Sequence, residues 1–331
     1  MASFFPKLEV FKITLKPYKN KGETFSDFFK LIINADTLNN LQNDKLFIEF
    51  FKYFIKEIDK ESFYLKDKKG FTAYNTNIDK NPSIRFNSKE FYFNGFVEGG
   101  VYGIKRSSSN IANKNLKNDI PEDNIVSNRF YFLLHLPPES QYGILMILSY
   151  SVSTITSLFI NFIEDTFKKE KYYYKPDISR YIPESFKETF KQESILKRIR
   201  FETVAPSKQL DNASYQIEDE ELIIKVEVAS HKNISSSNAS KFYNAIKDIK
   251  IGSIKLQDFI RRKVDVNDHR GQTSSFEVDR EFDPSPKIYL EGKVELNIDG
   301  TPNDQSLINY SLSLLKEVKQ KIYPVNNVTE H

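Results

Sequence analysis

Between Gln141 and Ile163 the chain carries no charged residue, a run long enough to cross a bilayer as a helix. The same run holds Ser149, Ser151, Ser153, Thr154, Thr156, Ser157 and Asn161, and a lone span carries that polar load poorly. Gly143–Leu148 reads better as a buried strand. Val152 to Lys168 reads as a helix with Ile155, Phe159, Phe162, Ile163 and Phe167 on one side. A segment of this kind must be covered by other elements. The expectation is therefore a globular protein with a large core and no membrane span. The opening MASFFPKLEVFKITLKPY has no basic stretch followed by an apolar run and a small-residue cleavage site, so no signal peptide is read and the expected location is cytoplasmic.

The material for such a core is abundant. The 28 Phe and 18 Tyr residues each bury a large area, and the length of 331 residues fits one large domain or two ordinary ones. With 39% hydrophobic residues, a disordered chain is excluded. The absence of cysteine excludes disulfides, thiolate zinc sites, iron–sulfur clusters and a cysteine nucleophile. Only 11 glycines argue against a Gly-rich dinucleotide-binding enzyme. The net charge of +3 leaves the partner open, since a basic patch can hide under a balanced total. The many Lys, Asn, Ile and Phe residues look like an AT-rich genome, which suggests a bacterial or mobile-element setting such as phage defence.

Along the chain, a strand is expected at Leu8–Leu15, then helices near Thr24–Asn34 and Asp44–Ile58. In the second helix Leu46, Phe47, Phe50, Phe51, Phe54, Ile55 and Ile58 recur at spacings of three and four. Asn94-Gly95 between aromatic runs signals a type I′ hairpin turn. Ser107–Asn128 reads as a long loop. Strands follow at Phe130–Leu136 and Ile144–Tyr150. Ala205–Asp219 is the candidate linker. Beyond it, Glu221–Ala229 and Lys287–Ile298 alternate as strands with one wet face. A helix is expected over Asn238–Arg262, and a last one from Thr301-Pro302. The fold class expected is α+β with mixed or antiparallel sheets and packed helices. It has an N-terminal domain at 1–204, a linker at 205–219 and a C-terminal domain at 220–331.

No phosphate-loop, dinucleotide, zinc-protease, EF-hand or nucleophile-elbow motif is present. The cluster Gly99-Gly100-Val101-Tyr102-Gly103, with Lys105 and Arg106 behind it, could cradle a phosphate but reads first as a turn. His135, His231, His269 and His331 stand far apart, without ligand spacing, and no metal ligands are assigned. Two basic clusters are candidate nucleic-acid contacts. The first is Lys168, Lys169, Lys171, Tyr172, Tyr173, Tyr174, Lys175 and Arg180, where cations would draw phosphates and tyrosine rings would stack on unpaired bases. The second is Arg261, Arg262 and Lys263, expected at the end of the long helix. Either could instead be a solvated helix end. Asp283 with Glu291 and Lys293 loosely resembles a metal-dependent nuclease pattern, in which the carboxylates would hold Mg²⁺ and the lysine would steady the attacking water. Cross-strand pairing of Glu291 and Lys293 with Lys225 and Glu227 would explain them fully. The expected function is binding of nucleic acid or a partner protein. The alternatives are the Mg²⁺-dependent nuclease and a structural or assembly protein.

Overall fold

The structure is a computed structural model that describes residues 5–19, 22–33, 41–74, 76–77, 82–113, 115–168, 171–206, 221–268, 271, 273–278 and 286–323. It is of the α+β class, with antiparallel sheets. The chain forms two compact units, one from Met1–Tyr181 with Lys287–His331 and the other from Ile182–Pro286.

The first unit opens with strand β1 (Pro6–Thr14), followed by helices α1 (Phe25–Ile32) and α2 (Asn43–Ile58). Strands β2 (Tyr64–Lys66), β3 (Lys69–Thr72), β4 (Ile84–Asn87), β5 (Tyr92–Val101), β6 (Arg106–Ser109), β7 (Lys117–Ile120), β8 (Val126–His135) and β9 (Tyr142–Tyr150) come next. Helix α3 (Thr156–Phe167) and strand β10 (Asp177–Arg180) close the first passage. Its main sheet runs β10-β1-β9-β8-β5-β3-β2, with β4 beside β5.

Residues 130–135 of β8 and 143–150 of β9 are buried without a break. That pattern needs cover on both faces of the sheet, and both are covered. Phe132 lies within ring contact of Phe54 on α2 and Phe159 on α3, so the even positions of β8 face the phenylalanine layer. The odd positions face the opposite way. Thr24 caps α1 in a capping box with Asp27, which satisfies two of the orphan amides at the helix start.

The second unit contains α4 (Glu184–Glu193), β11 (Ile195–Pro206), β12 (Glu221–Val228), β13 (Ile234–Ser235), α5 (Ala239–Ile246), β14 (Lys250–Ile251), β15 (Ile254–Lys255), β16 (Arg261–Asn267) and β17 (Thr273–Glu277). Its sheet runs β12-β11-β16-β17 with β13 beside β11. One face packs Ile199, Phe201, Val264 and Val266 around Ala239, Ile246 and Leu256. The chain then returns to the first unit with β18 (Ile288–Tyr289) and α6 (Asp304–Ile322). Helix α6 meets the odd positions of β8: Arg129 pairs with Asp304 at 2.8 Å, and the Tyr323 hydroxyl, one residue past the helix, lies 2.9 Å from His135 Nδ1.

Several local expectations give way. Asn94-Gly95 lies inside β5, not in a turn, because Gly95 is needed where β4 crosses close: a Cβ there would overlap the Ser83 carbonyl oxygen. Gly99 and Gly100 are strand residues too, and a Cβ on Gly100 would overlap the Val126 carbonyl oxygen, so the glycine cluster serves strand packing. The Ser107–Asn128 loop contains the β6–β7 hairpin and the start of β8. The Asn238–Arg262 helix stops at Ile246, and Arg261 begins a strand. Lys287–Ile298 is a two-residue strand followed by a turn at Gly292, φ 74°. Helix α6 is capped by Asn303, whose side chain accepts from Ser306 N at 3.1 Å, and not by Thr301. Residues 207–219 of the expected linker lie outside the described residues. The strands they join, β11 and β12, pair over eight residues from Ile199↔Val228 to Pro206↔Glu221, so that stretch connects two strands of one unit.

Candidate functional site

The first basic cluster follows α3, with Lys168 as its C-cap; Lys169 lies outside the described residues. Three consecutive tyrosines cannot share one side of an extended chain, and here they separate. Tyr173 is core: its hydroxyl donates to the Gly22 carbonyl at 2.8 Å and its ring stands edge-on to Phe28. Desolvation raises its pKa, with the Asp27 charge adding to the rise. It is not available to stack on a base. Tyr174 is exposed but already stacks on Tyr18, while Tyr172 sits beneath Lys171 Nζ at 5.7 Å. Lys175 pairs with Glu164 at 2.7 Å. Lys168, Lys171 and Arg180 are exposed.

Of the nuclease pattern, Glu291 and Lys293 are described. Asp283 lies outside the described residues. Glu291 and Lys293 are exposed on either side of Gly292 in the turn, and the carboxylate-bearing strand expected there is absent. The other proposed partners are engaged elsewhere, Lys225 with Glu202 at 3.8 Å and Glu227 with Arg198 at 2.9 Å. Among the described residues, no group of three His, Cys, Asp or Glu side chains could hold a metal ion.

The second cluster is divided by strand alternation. Arg262 turns to the core side, where its Nη1 donates to the Gln257 carbonyl and to the Tyr243 hydroxyl. Arg261 and Lys263 point to the opposite, outer face of the sheet. There they meet two cations from outside either basic cluster, Arg198 and Arg200 of β11. Register builds the site row by row. Glu227, Arg200, Lys263 and Glu277 stand opposite one another across β12, β11, β16 and β17. Lys225, Glu202 and Arg261 form a second row, and Arg198, Asp265 and Ser275 a third. The missed residues had a signal in the alternation Arg198-Ile199-Arg200-Phe201-Glu202, which marks a strand with a charged face.

Asp265 anchors this face. Only 1% of it is exposed. Its carboxylate accepts from Arg198 Nε at 2.8 Å, Arg200 Nη2 at 2.7 Å and the Ser275 hydroxyl at 2.6 Å. Burial by itself raises the carboxyl pKa. The hydrogen bonds from Ser275, Arg198 and Arg200 outweigh it and hold the pKa below the usual carboxylate value. The two guanidiniums are thereby fixed in orientation, while both keep partial access to solvent. Lys263 pairs with Glu277 at 3.3 Å and Arg261 with Glu202 at 3.4 Å. A guanidinium carries five donors, so Arg198 and Arg200 retain N–H groups for a further acceptor. Chemically the face can hold anions.

Compared with known proteins, the chain matches no family model, no curated protein sequence and no solved structure. Among the described residues no helix is long and apolar enough to cross a membrane, and the uncharged run 141–163 is accounted for by β9 and α3.

Proposed function

We propose that the protein binds nucleic acid through the outer face of the β12-β11-β16-β17 sheet, by contacts to the phosphate backbone. The observation that carries this reading is the placement of Arg200 directly across from Lys263 on neighbouring strands. Like charges directly opposite each other destabilise a sheet; Asp265 on Arg200 and Glu277 on Lys263 offset part of that repulsion, and a phosphate between the two cations would offset more. Arg198 lies one row along and Arg261 the other way, so the cations form a track suited to successive phosphates. The orientation of Arg198 and Arg200 is set in advance by Asp265, which lowers the entropy lost on binding. The described outer-face residues of these strands include Val204 and Ile223 but no aromatic ring. Without a stacking platform, the contact is to backbone and independent of base sequence. The first cluster is not needed for this reading, since Tyr173 is core and cannot stack on a base.

The test is a salt titration of binding to labelled single-stranded DNA, duplex DNA and RNA. Lys263→Ala and Arg261→Ala leave the Asp265 cluster intact. Each is expected to weaken binding to every sequence alike and to flatten the log–log salt slope by roughly 0.7 on single strands and 0.9 on duplex. Lys168→Ala with Lys171→Ala should leave the slope unchanged. An absence of binding at low salt to all three probes would overturn the proposal and turn the search to an acidic protein partner.

A further inference from the structure

The sheet of the second unit ends on β12, and among the described residues no strand pairs its outer edge. This strand, Glu221-Leu222-Ile223-Ile224-Lys225-Val226-Glu227-Val228, contains no proline or glycine. Eight residues at about 3.3 Å each give an edge of roughly 26 Å with unpaired N–H and C=O groups. Such an edge is a template for another strand. The bulge in this sheet lies between β11 and β16, at Leu196/Arg198, and does nothing to blunt β12.

What the edge accepts is written in its side chains. If β12 meets itself antiparallel about Ile223, Glu221 stands opposite Lys225 of the second copy, Leu222 opposite Ile224, and Ile223 opposite Ile223. Every pair joins residues of the same face. The outward members gain cover they now lack. Ile223 is 65% exposed, one of the most exposed large apolar side chains in the second unit. On the inward side, Ile224 already packs partly buried against the unit's core, and Leu222 is half-buried. The charges fit as well. Lys225 approaches Glu202, which also binds Arg261, while Glu221 makes no ion pair among the described residues. Across the two-fold axis the row becomes Arg261, Glu202, Lys225 and Glu221 of the second copy, alternating in sign. A register centred on Val226 fits less well. It would set Lys225 against Glu227, which Arg198 already holds at 2.9 Å, and would leave Ile223 facing Ala229.

We propose that the chain forms a two-fold homodimer in which β12 pairs with β12 of a second copy, centred on Ile223. The two sheets become one, with both cationic tracks on the same side of it. Dimerisation stands independently of nucleic-acid binding.

The absence of cysteine makes a direct test possible. Ile223→Cys introduces a single thiol at the two-fold axis, where directly opposite strand residues lie within disulfide reach. On mild oxidation it should yield a covalent dimer, whereas Glu227→Cys, equally outward-facing, should not. In sedimentation equilibrium the parent chain should be dimeric. Ile223→Lys should be monomeric with unchanged circular dichroism, because the position is exposed and the fold of the unit does not depend on it. Glu221→Lys should weaken the dimer about tenfold, two exposed ion pairs having been reversed. Adding Lys225→Glu to it should recover part of that loss. A parent chain that stays monomeric at high concentration would overturn the proposal. So would a dimer that tolerates Ile223→Lys and gives no cross-link from Ile223→Cys.

Discussion

His135 is held uncharged inside the first unit, 1% exposed, against the Tyr323 hydroxyl. Desolvation, aided by the nearby Lys319 charge, lowers its pKa to about 3. The unfolded chain takes up this proton near pH 6.5, whereas the folded one refuses it until far lower. Stability is therefore unaffected above that point and falls as pH drops below it. The expected loss from this group is about 2 kcal/mol between pH 7 and pH 5. Urea unfolding at the two pH values should show it, and His135→Phe should remove that part of the slope. An equal slope in both proteins would show that His135 charges in the fold. Asp265 behaves oppositely. Its depressed pKa gives stability that is present above the unfolded carboxyl value and is lost as pH falls through the folded one. Asp265→Ala leaves two oriented guanidiniums without their acceptor. The cost should be about 3 kcal/mol, the low end for a broken buried pair because both arginines keep some water. A loss under about 1 kcal/mol would place the contact among ordinary surface bridges.

At the scale of elements, legibility followed periodicity. The β1 strand and helices α2 and α3 stood out through an apolar period, and β8 and β9 as short continuous apolar runs bounded by Pro137-Pro138 and polar residues. Short elements did not. The pairs β6–β7 and β14–β15 carry too few residues for a period to emerge, and their pairing is decided by tertiary context. The cationic face was half legible. Arg261-Arg262-Lys263 drew attention as a run, but placing it on a helix hid the fact that alternation sends Arg262 inward and joins its neighbours to Arg198 and Arg200. Tyr173 misled for a related reason, since a ring among lysines looks exposed until its partner Phe28, distant in sequence, is known. Gly95 tests this level directly. As a turn residue it could be replaced by Asn at small cost. As the site where β4 passes against β5, Gly95→Ala should destabilise by about 1–3 kcal/mol through overpacking. Thermal unfolding of the variant separates the two, and a change within about 0.5 kcal/mol would contradict the close-approach reading.

The second unit enters and leaves the first beside a single strand. Arg180, near the end of β10, pairs with Phe11 of β1, and Ile288 of β18 pairs with Leu8 of the same strand. Three residues along a strand span about 10 Å, so the two chain crossings sit next to each other on one edge of the nine-stranded sheet. That is the geometry of a domain inserted into a host at a tolerant surface position. The first unit keeps its own core on both sides of the excision. The phenylalanine layer of α1, α2 and α3 comes before it, and α6 after it closes the other face through Arg129–Asp304 and His135–Tyr323. Among the described residues the partners of β1 are β9, β10 and β18, none of them from 182–286. Replacing 182–286 by a short Gly/Ser linker should therefore yield a folded protein. It should unfold in one cooperative transition and retain the acid sensitivity assigned to His135, because α6 still docks on β8. The same deletion should abolish both nucleic-acid binding and dimerisation, since Arg198, Arg200, Arg261, Lys263 and β12 go with it. Circular dichroism, urea unfolding at two pH values and sedimentation of the deletion variant read all three. A shortened chain that aggregates or loses cooperative unfolding would show that the host unit depends on its insert.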